Sequence, residues 1–286
     1  MLQSFIILLA RQQLQNLPAT ANIDDCSSQE TSMFSLSDRV VIVTGSSRGI
    51  GLASARLLAA QGAAVVISSR RQEACDEAAA ALRAEGHRAL PVACHIGKHA
   101  DLQHLVDATM AEYGRIDGLV CNAASNPVYG PLAKLDLEAF DVIMHNNLYS
   151  QIELTRMVAK PLQDSGHGAI VLVSSVAGLS GQNHLGAYAI SKAGEMQLAR
   201  NLALEYSAAG IRVNTVAPGL IRTDFSQALL ADADKVQQLE RSLPSRRVGE
   251  PEDIAGVIAF LLSDAAAYVN GQTVVADGGM LIAQSL

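Results

Sequence analysis

The sequence predicts a doubly wound α/β domain, a parallel sheet with helices on both faces. Three observations carry that expectation. Short runs nearly continuous in Val, Ile, Leu and Ala recur along the chain, as expected of strands covered on both faces. The segments between most of them space their apolar residues as helices do. A glycine-rich stretch, TGSSRGIG (44–51), stands between the first apolar run and the first helical pattern.

In order, the runs RVVIVT (39–44), AAVVIS (63–68), ALPVAC (89–94), GLVCNA (118–123), AIVLVS (169–174), RVNTVA (212–217) and QTVVAD (272–277) read as strands. IGLASARLLAAQG sets Ile50, Ala53, Leu57 and Leu58 on one stripe and stops at Gly62, a residue type suited to end a helix. Further helical patterns cover 73–85, 101–113, 146–164, 187–208 and 252–262. Strand, helix and strand repeated with right-handed crossovers give the doubly wound sheet. No linker, composition break or internal repeat divides it, so 38–286 is expected to be one domain. The segment 218–251, opening PGLIRTDF, carries little strand pattern and is expected to lie over the ligand crevice.

Residues 1–37 read as a poorly ordered extension. SFIILLA (4–10) is too short to span a bilayer, and Met1 to Ser4 carry no basic side chain for a secretory leader. A weak membrane-surface helix is the other reading of this run. A chain of 286 residues that is 49% hydrophobic, with 22 Gly and 8 Pro, can bury a large core. A net charge of -7 and a pI near 5.5 argue against nucleic acid as a partner. Cys26, Cys75, Cys94 and Cys121 have no metal-ligand spacing and read as reduced thiols of a cytoplasmic protein.

In the loop 44–51, Gly45, Gly49 and Gly51 allow a tight turn and a close backbone approach to a pyrophosphate. The helix that follows offers free N–H groups to hold it. Between a strand and a helix, such a loop marks a dinucleotide-binding Rossmann fold.

The loop and the motifs after it resemble the short-chain dehydrogenase/reductase family over about residues 38–283. NAA (122–124) has Ala124 where the family has glycine. In NNLY (146–149), Asn147 precedes an aliphatic residue and matches the family's helix asparagine, with Asn146 the alternative. VSS (173–175) ends in Ser175, thirteen residues before the tyrosine of YAISK (188–192). PG (218–219), IRT (221–223) and DGG (277–279) complete the set. The resemblance implies a catalytic set of Asn147, Ser175, Tyr188 and Lys192, with Ser175 and Tyr188 on the substrate oxygen, Lys192 also on the nicotinamide ribose and Asn147 positioning a water. It implies cofactor contacts from Gly45, Ser47, Arg48, Gly49, Ile50, Gly51, Ser69, Arg70, His95, Ile96, Asn122, Ala123, Ala124, Tyr188, Lys192, Pro218, Gly219, Ile221 and Thr223. It also implies a homotetramer, built through the long helices and the last strand.

Tyr188 and Lys192, four apart, share a helical face. A phenol near pKa 10 is a poor acid–base group at neutral pH. A cation about 4 Å away at an effective dielectric of about 20 favours phenolate by about 4 kcal/mol, so the pair is expected to lower the Tyr188 pKa.

Cofactor choice turns on the end of the second strand, where an NAD site has an acid. Here SSRRQE places Ser69 and then Arg70, and Arg48 adds a second cation, which favours the 2′-phosphate of NADP over NAD. After the third strand the family has an acid for the adenine amino group. This chain has His95, which can still accept that hydrogen bond if neutral and is not expected to bind metal.

The expectation is an NADP-preferring oxidoreductase acting on the secondary alcohol or carbonyl of a small or lipophilic substrate. A 3-oxoacyl-carrier-protein reductase, a sugar-alcohol dehydrogenase and a non-catalytic nucleotide sensor are the alternatives. Against a carrier-protein substrate, Gly166 and Ala209 fall where the resemblance would place basic residues for an acidic partner.

Overall fold

The computed structural model describes residues 33–227, 230 and 232–283. The apolar run 4–10, Cys26 and the extension expected over 1–37 lie, up to residue 32, outside the described residues.

The order of elements is β1 (Val40–Thr44), α1 (Gly49–Ala60), β2 (Ala64–Ser69), α2 (Gln72–Ala84), β3 (Ala89–Ala93), α3 (His99–Tyr113) and β4 (Gly118–Cys121). There follow α4 (Leu137–Met144), a π-helical turn (His145–Tyr149), α5 (Ser150–Ser165), β5 (Ala169–Val173), α6 (Gly186–Tyr206) and β6 (Arg212–Pro218). The chain then forms α7 (Ala233–Ser242), α8 (Pro251–Leu262) and β7 (Thr273–Ala276). All the strands pair in parallel, in the order β3-β2-β1-β4-β5-β6-β7. Winding reverses between β1 and β4, and a crevice opens there above the C-terminal strand ends.

Two-residue alternation along the strands divides the core in two. Val41, Val43, Val65, Ile67 and Val171 face one side, under α1, α2 and α8. Val40, Ile42, Val66, Leu119 and Ile170 face the other, under α3, α5 and α6. Because both faces are covered, the strands read as continuous apolar runs rather than alternating ones. In α1 the buried side chains are Ser54, Ala55, Leu58 and Ala59, with Gly51, instead of the expected stripe through Ile50, Ala53 and Leu57. Small residues there let the helix lie close to the sheet and against α8.

The lower end of the sheet is tied down by two arginines. From the start of β1, Arg39 donates to Leu262 O (3.0 Å) and pairs with Asp264 (2.6 Å). From the start of β6, Arg212 donates to Leu261 O (2.7 Å) and Ser263 O (3.1 Å). Both thus satisfy carbonyls at the open end of α8.

Two helices escape the sequence pattern. α4 is short and buries only Ile143, and it runs through the π turn into α5, so the helix expected from 146 is the second half of a longer kinked one. α7, inside the excursion 218–251, is mostly polar and carries its narrow apolar stripe on Val236 and Leu239 alone. Cys75, Cys94 and Cys121 are free and buried, and burial raises the Cys94 thiol to about 12.

Leu36, two residues before the expected domain start, is fully buried in the first face, and its N–H donates to Gln61 O at 2.9 Å. Leu36→Ala is expected to cost about 2–4 kcal/mol of stability, read as a lower urea midpoint with an unchanged slope.

Candidate active site

The loop between β1 and α1 needs its glycines. Gly45 (φ +66°) and Gly49 (φ +57°) are left-handed. A Cβ on Gly51 would stand 2.4 Å from Gly45 O and 2.6 Å from Asn122 Nδ2. The loop is fixed to β4 by a hydrogen-bond knot. Thr44 Oγ1 accepts from Asn122 N (3.0 Å) and Ala123 N (3.1 Å) and donates to Val120 O (3.3 Å). Asn122 Nδ2 returns bonds to Thr44 O (2.9 Å) and Gly45 O (3.1 Å). Asn122 therefore clamps the loop. Ser46, which no motif marks, joins β1 to β2 by donating to Val43 O (2.6 Å) and accepting from Ser68 N (2.9 Å). Arg48 begins α1 without a side-chain cap, so the first-turn N–H groups remain open to an anion.

The remaining strand ends form the crevice walls. Thr223, after β6, lies 3.3 Å from where a Gly49 Cβ would be, and Arg48 pairs with Asp224 at 2.9 Å on the surface. The excursion returns at Ile221, which bridges to Gly249. Gly219 lies so close to Asp277 that a Cβ would approach its Cα to 2.8 Å. Arg70 is exposed beyond β2 and has no ion-pair or hydrogen-bond partner among the described residues.

His95 stands just after β3. Its Nδ1 accepts from Gly97 N at 3.1 Å, so a neutral ring carries its proton on Nε2. The ring edge left over is a donor, and the expected acceptor for an adenine amino group is already used. Ile96 packs, half-buried, against the second core face.

Asn147, at the π turn, is fully buried. Its Oδ1 accepts from Ser125 N (2.8 Å), and Nδ2 donates to Ser125 O (3.0 Å) and Ser191 Oγ (3.1 Å). It therefore locks the loop after β4 onto α6, one residue before Lys192. Asn146, by contrast, donates to Ser125 Oγ (3.1 Å) and is only half-buried.

Ser175 stands at the end of β5, its Oγ accepting from Ala177 N at 3.1 Å. Lys192 Nζ lies 5.4 Å from the centre of the Tyr188 ring. The expected lowering of the Tyr188 pKa is not found. Burial raises it, Lys192 pulls it down, Glu195 pushes it up and a hydrogen bond with Ser175 pulls it down, for a net rise. Helical spacing registers the cation but neither the enclosure nor the second charge.

That second charge, Glu195, is the residue the motifs miss. It is fully buried, with Oε1 2.8 Å and Oε2 3.1 Å from Lys192 Nζ. Gln151 of α5 donates to Oε1 at 3.1 Å, and Lys192 also donates to Val173 O at 2.8 Å. Burial alone would lower the Lys192 pKa, but Glu195, followed by Tyr188 and Cys121, outweighs it for a net rise. Burial lifts Glu195 to about 7, held back by Lys192, Gln151 and Ser174. An acid three residues after the lysine, in a helix otherwise small and apolar at that point, was the available signal.

Aromatic rings line the outer side. Phe225 lies 5.8 Å from Tyr188 between ring centres, and Tyr129 stacks on His184 at 5.2 Å. A backbone bond from Gly130 N to His184 O (2.9 Å) joins these two loops.

A glycine cradle at a helix N-terminus, with Ser175 just past a strand end beside Tyr188 and Lys192 on α6, fits an NAD(P)-dependent oxidoreductase, and comparison with known proteins agrees. A family model described as enoyl-(acyl carrier protein) reductase matches residues 44–281. Dehydrogenase/reductase SDR family member 4 of Oryctolagus cuniculus is 45% identical over 244 residues, covering 85% of this chain and 94% of the relative. The Homo sapiens protein of that name is 41% identical, over 85% of this chain and 88% of its own. A gluconate 5-dehydrogenase from Burkholderia cenocepacia, solved with NADP and tartrate, superposes with a TM-score of 0.85 at 33% identity, covering 89% of this chain and all of that one. The chain belongs to the short-chain dehydrogenase/reductase family.

Lys192→Ala is expected to strand Glu195 as an unpaired buried carboxylate, at a cost of about 3–5 kcal/mol while it is ionised. A carboxyl whose folded pKa is raised gives its full stability below the unfolded value near 4.5 and loses it as pH rises through the folded value, about 7 with Lys192 present and higher without it. The melting temperature of the variant should therefore fall away from that of the wild type as pH is raised through this range, as scanning calorimetry would record.

Proposed function

We propose that the enzyme interconverts a secondary alcohol and its carbonyl compound, with NADP preferred and a small or lipophilic molecule as substrate. The observation that carries this reading is the grouping of Tyr188, Lys192 and Ser175 beside the glycine cradle, with Phe225 against the tyrosine. A nicotinamide cofactor supplies or accepts the hydride. The open N–H groups of α1 and the close approach allowed by Gly45, Gly49 and Gly51 suit its pyrophosphate, and Lys192 suits its ribose.

Tyr188 moves the proton. Burial raises its pKa and favours the phenol, the form able to give a proton to a carbonyl oxygen; as phenolate it would take one from an alcohol in the reverse direction. Ser175 donates to the same oxygen. Asn147 has committed its side chain to Ser125 and Ser191, which leaves its main-chain carbonyl to hold a relay water.

Arg70 supports NADP, since it is exposed and unpaired at the strand end where an NAD site carries an acid. Arg48 can join it, because its pair with Asp224 is exposed and costs little to break. Phe225, Tyr129 and His184 support an apolar or flat substrate. Gly166 closes α5 in a left-handed turn (φ +74°) and Ala209 is half-buried, so neither place offers a carrier protein a cation. A homotetramer and a cytoplasmic location follow the family resemblance and the acidic, thiol-bearing composition. Among the described residues no helix is long and apolar enough to cross a membrane, and a Homo sapiens relative 40% identical to this chain is named as mitochondrial.

The test is a panel of aromatic and aliphatic ketones, gluconate-type hydroxy acids, and free and carrier-bound 3-oxoacyl and enoyl thioesters, assayed with NADPH and NADH. Ketone reduction should lead, with carrier-bound thioesters no better than free ones; a hundredfold preference for the carrier-bound form would overturn the substrate reading. Tyr188→Phe should lower kcat at least about a hundredfold while NADPH binding, followed by fluorescence, stays near wild type. Arg70→Asp should move the NADPH/NADH ratio of kcat/KM toward NADH by about tenfold or more, and an unchanged ratio would remove Arg70 from the phosphate site.

A further inference from the structure

A lysine that serves a ribose and a tyrosine needs its protons and its charge for them, yet in this chain both are shared with a buried carboxylate. The ammonium has three N–H donors. Val173 O (2.8 Å), Glu195 Oε1 (2.8 Å) and Glu195 Oε2 (3.1 Å) give each an acceptor within hydrogen-bond distance. Glu195 is built in rather than incidental. It is fully buried on α6, and Gln151 reaches across from α5, also buried, to donate to it at 3.1 Å. Gln151 Oε1 meanwhile has no hydrogen-bond partner among the described residues. A buried amide with an unpaired oxygen is costly, so its orientation is set by the carboxylate it serves.

We propose that Glu195, oriented by Gln151, is a positioning residue that sets the basicity of Tyr188 by neutralising part of the Lys192 charge, and that a ribose hydroxyl engages Lys192 by replacing the longer of its two contacts with Glu195. This rests on Tyr188 being the proton-transfer group. The groups facing the pair are few: Tyr188 on α6 itself, Cys121 at the end of β4, Val173 O and Ser174 at the end of β5, and the uncharged Gln151 on α5. Among the described residues, Lys192 and Glu195 are the charged side chains that bear on Tyr188. Removing the carboxylate charge while keeping its shape leaves Lys192 to act on the phenol unopposed, its proton held by Val173 O and by the phenolate as that forms. The Tyr188 pKa falls, because the cation's attraction for phenolate is no longer opposed.

Glu195→Gln makes that change. The readout is ionisation of Tyr188 in the free enzyme, taken as the phenolate ultraviolet absorbance titration minus that of the matched protein carrying Tyr188→Phe. This needs no substrate, so it succeeds or fails separately from the oxidoreductase chemistry assigned to Tyr188. The midpoint is expected to move down by about one pH unit or more. The acid limb of kcat/KM for alcohol oxidation should move with it, and the NADPH Kd should hold or tighten. Gln151→Leu leaves Glu195 in place but removes its amide donor, which favours the protonated carboxyl. It should shift both readouts in the same direction by less, and it carries the test if Glu195→Gln does not fold. If both midpoints stay at the wild-type value while only the melting temperature falls, Glu195 is a packing residue and the proposal fails.

Discussion

The structure depends on keeping the C-terminal ends of β1 and β4 together where the winding reverses. Neighbouring strands leave this point toward opposite sides of the sheet, so no crossover covers it. Thr44 and Asn122 hold it with side-chain bonds in place of the ladder, through Asn122 N, Ala123 N, Thr44 O and Gly45 O. The same bonds fix the glycine loop, which sets where α1 begins and so where an anion meets its N-terminus. A sheet strap and a ligand cradle are here one set of atoms.

The electrostatics of the centre follow from enclosure. In water, Lys192 beside Tyr188 would be a weak pair. Inside the fold, each charge is felt strongly, and an unpaired ammonium would be expensive to bury. Glu195 makes the buried lysine tolerable, at the expense of its pull on the phenol. Enclosure and the second charge together raise the Tyr188 pKa, against the pull of the lysine.

Much of this was legible in the sequence, for physical reasons. Strands covered on both sides are continuous apolar runs, so all seven were readable, with ends displaced by a residue or two. The glycines at 45, 49 and 51 and the Tyr188–Lys192 pair announce themselves by spacing. What was hidden depends on contacts between distant segments. Gln151 and Glu195 meet only because α5 and α6 lie side by side on one face of the sheet. The bond that turns the His95 ring toward Gly97 of its own loop is likewise a contact that spacing does not show. Burial of the phenol hydroxyl, which reversed the direction of its pKa, is a property of the packed fold and not of i, i+4 geometry. α7 was overlooked because its apolar stripe is narrow, Val236 and Leu239 within a short polar stretch.

The arginines at the foot of the sheet divide the molecule mechanically. Arg39 and Arg212 fasten the beginnings of β1 and β6 to the tail of α8, so the lower rim is cross-linked by groups that touch no ligand. The upper rim is held differently: Thr44, Asn122 and Asn147 fix some of its loops, and exposed pairs such as Arg48 with Asp224 tie others. Those upper loops stand on strands whose feet are fastened at the opposite rim. The upper loops can be exchanged for others of different length and polarity without disturbing that footing, so one such sheet can serve many different pockets.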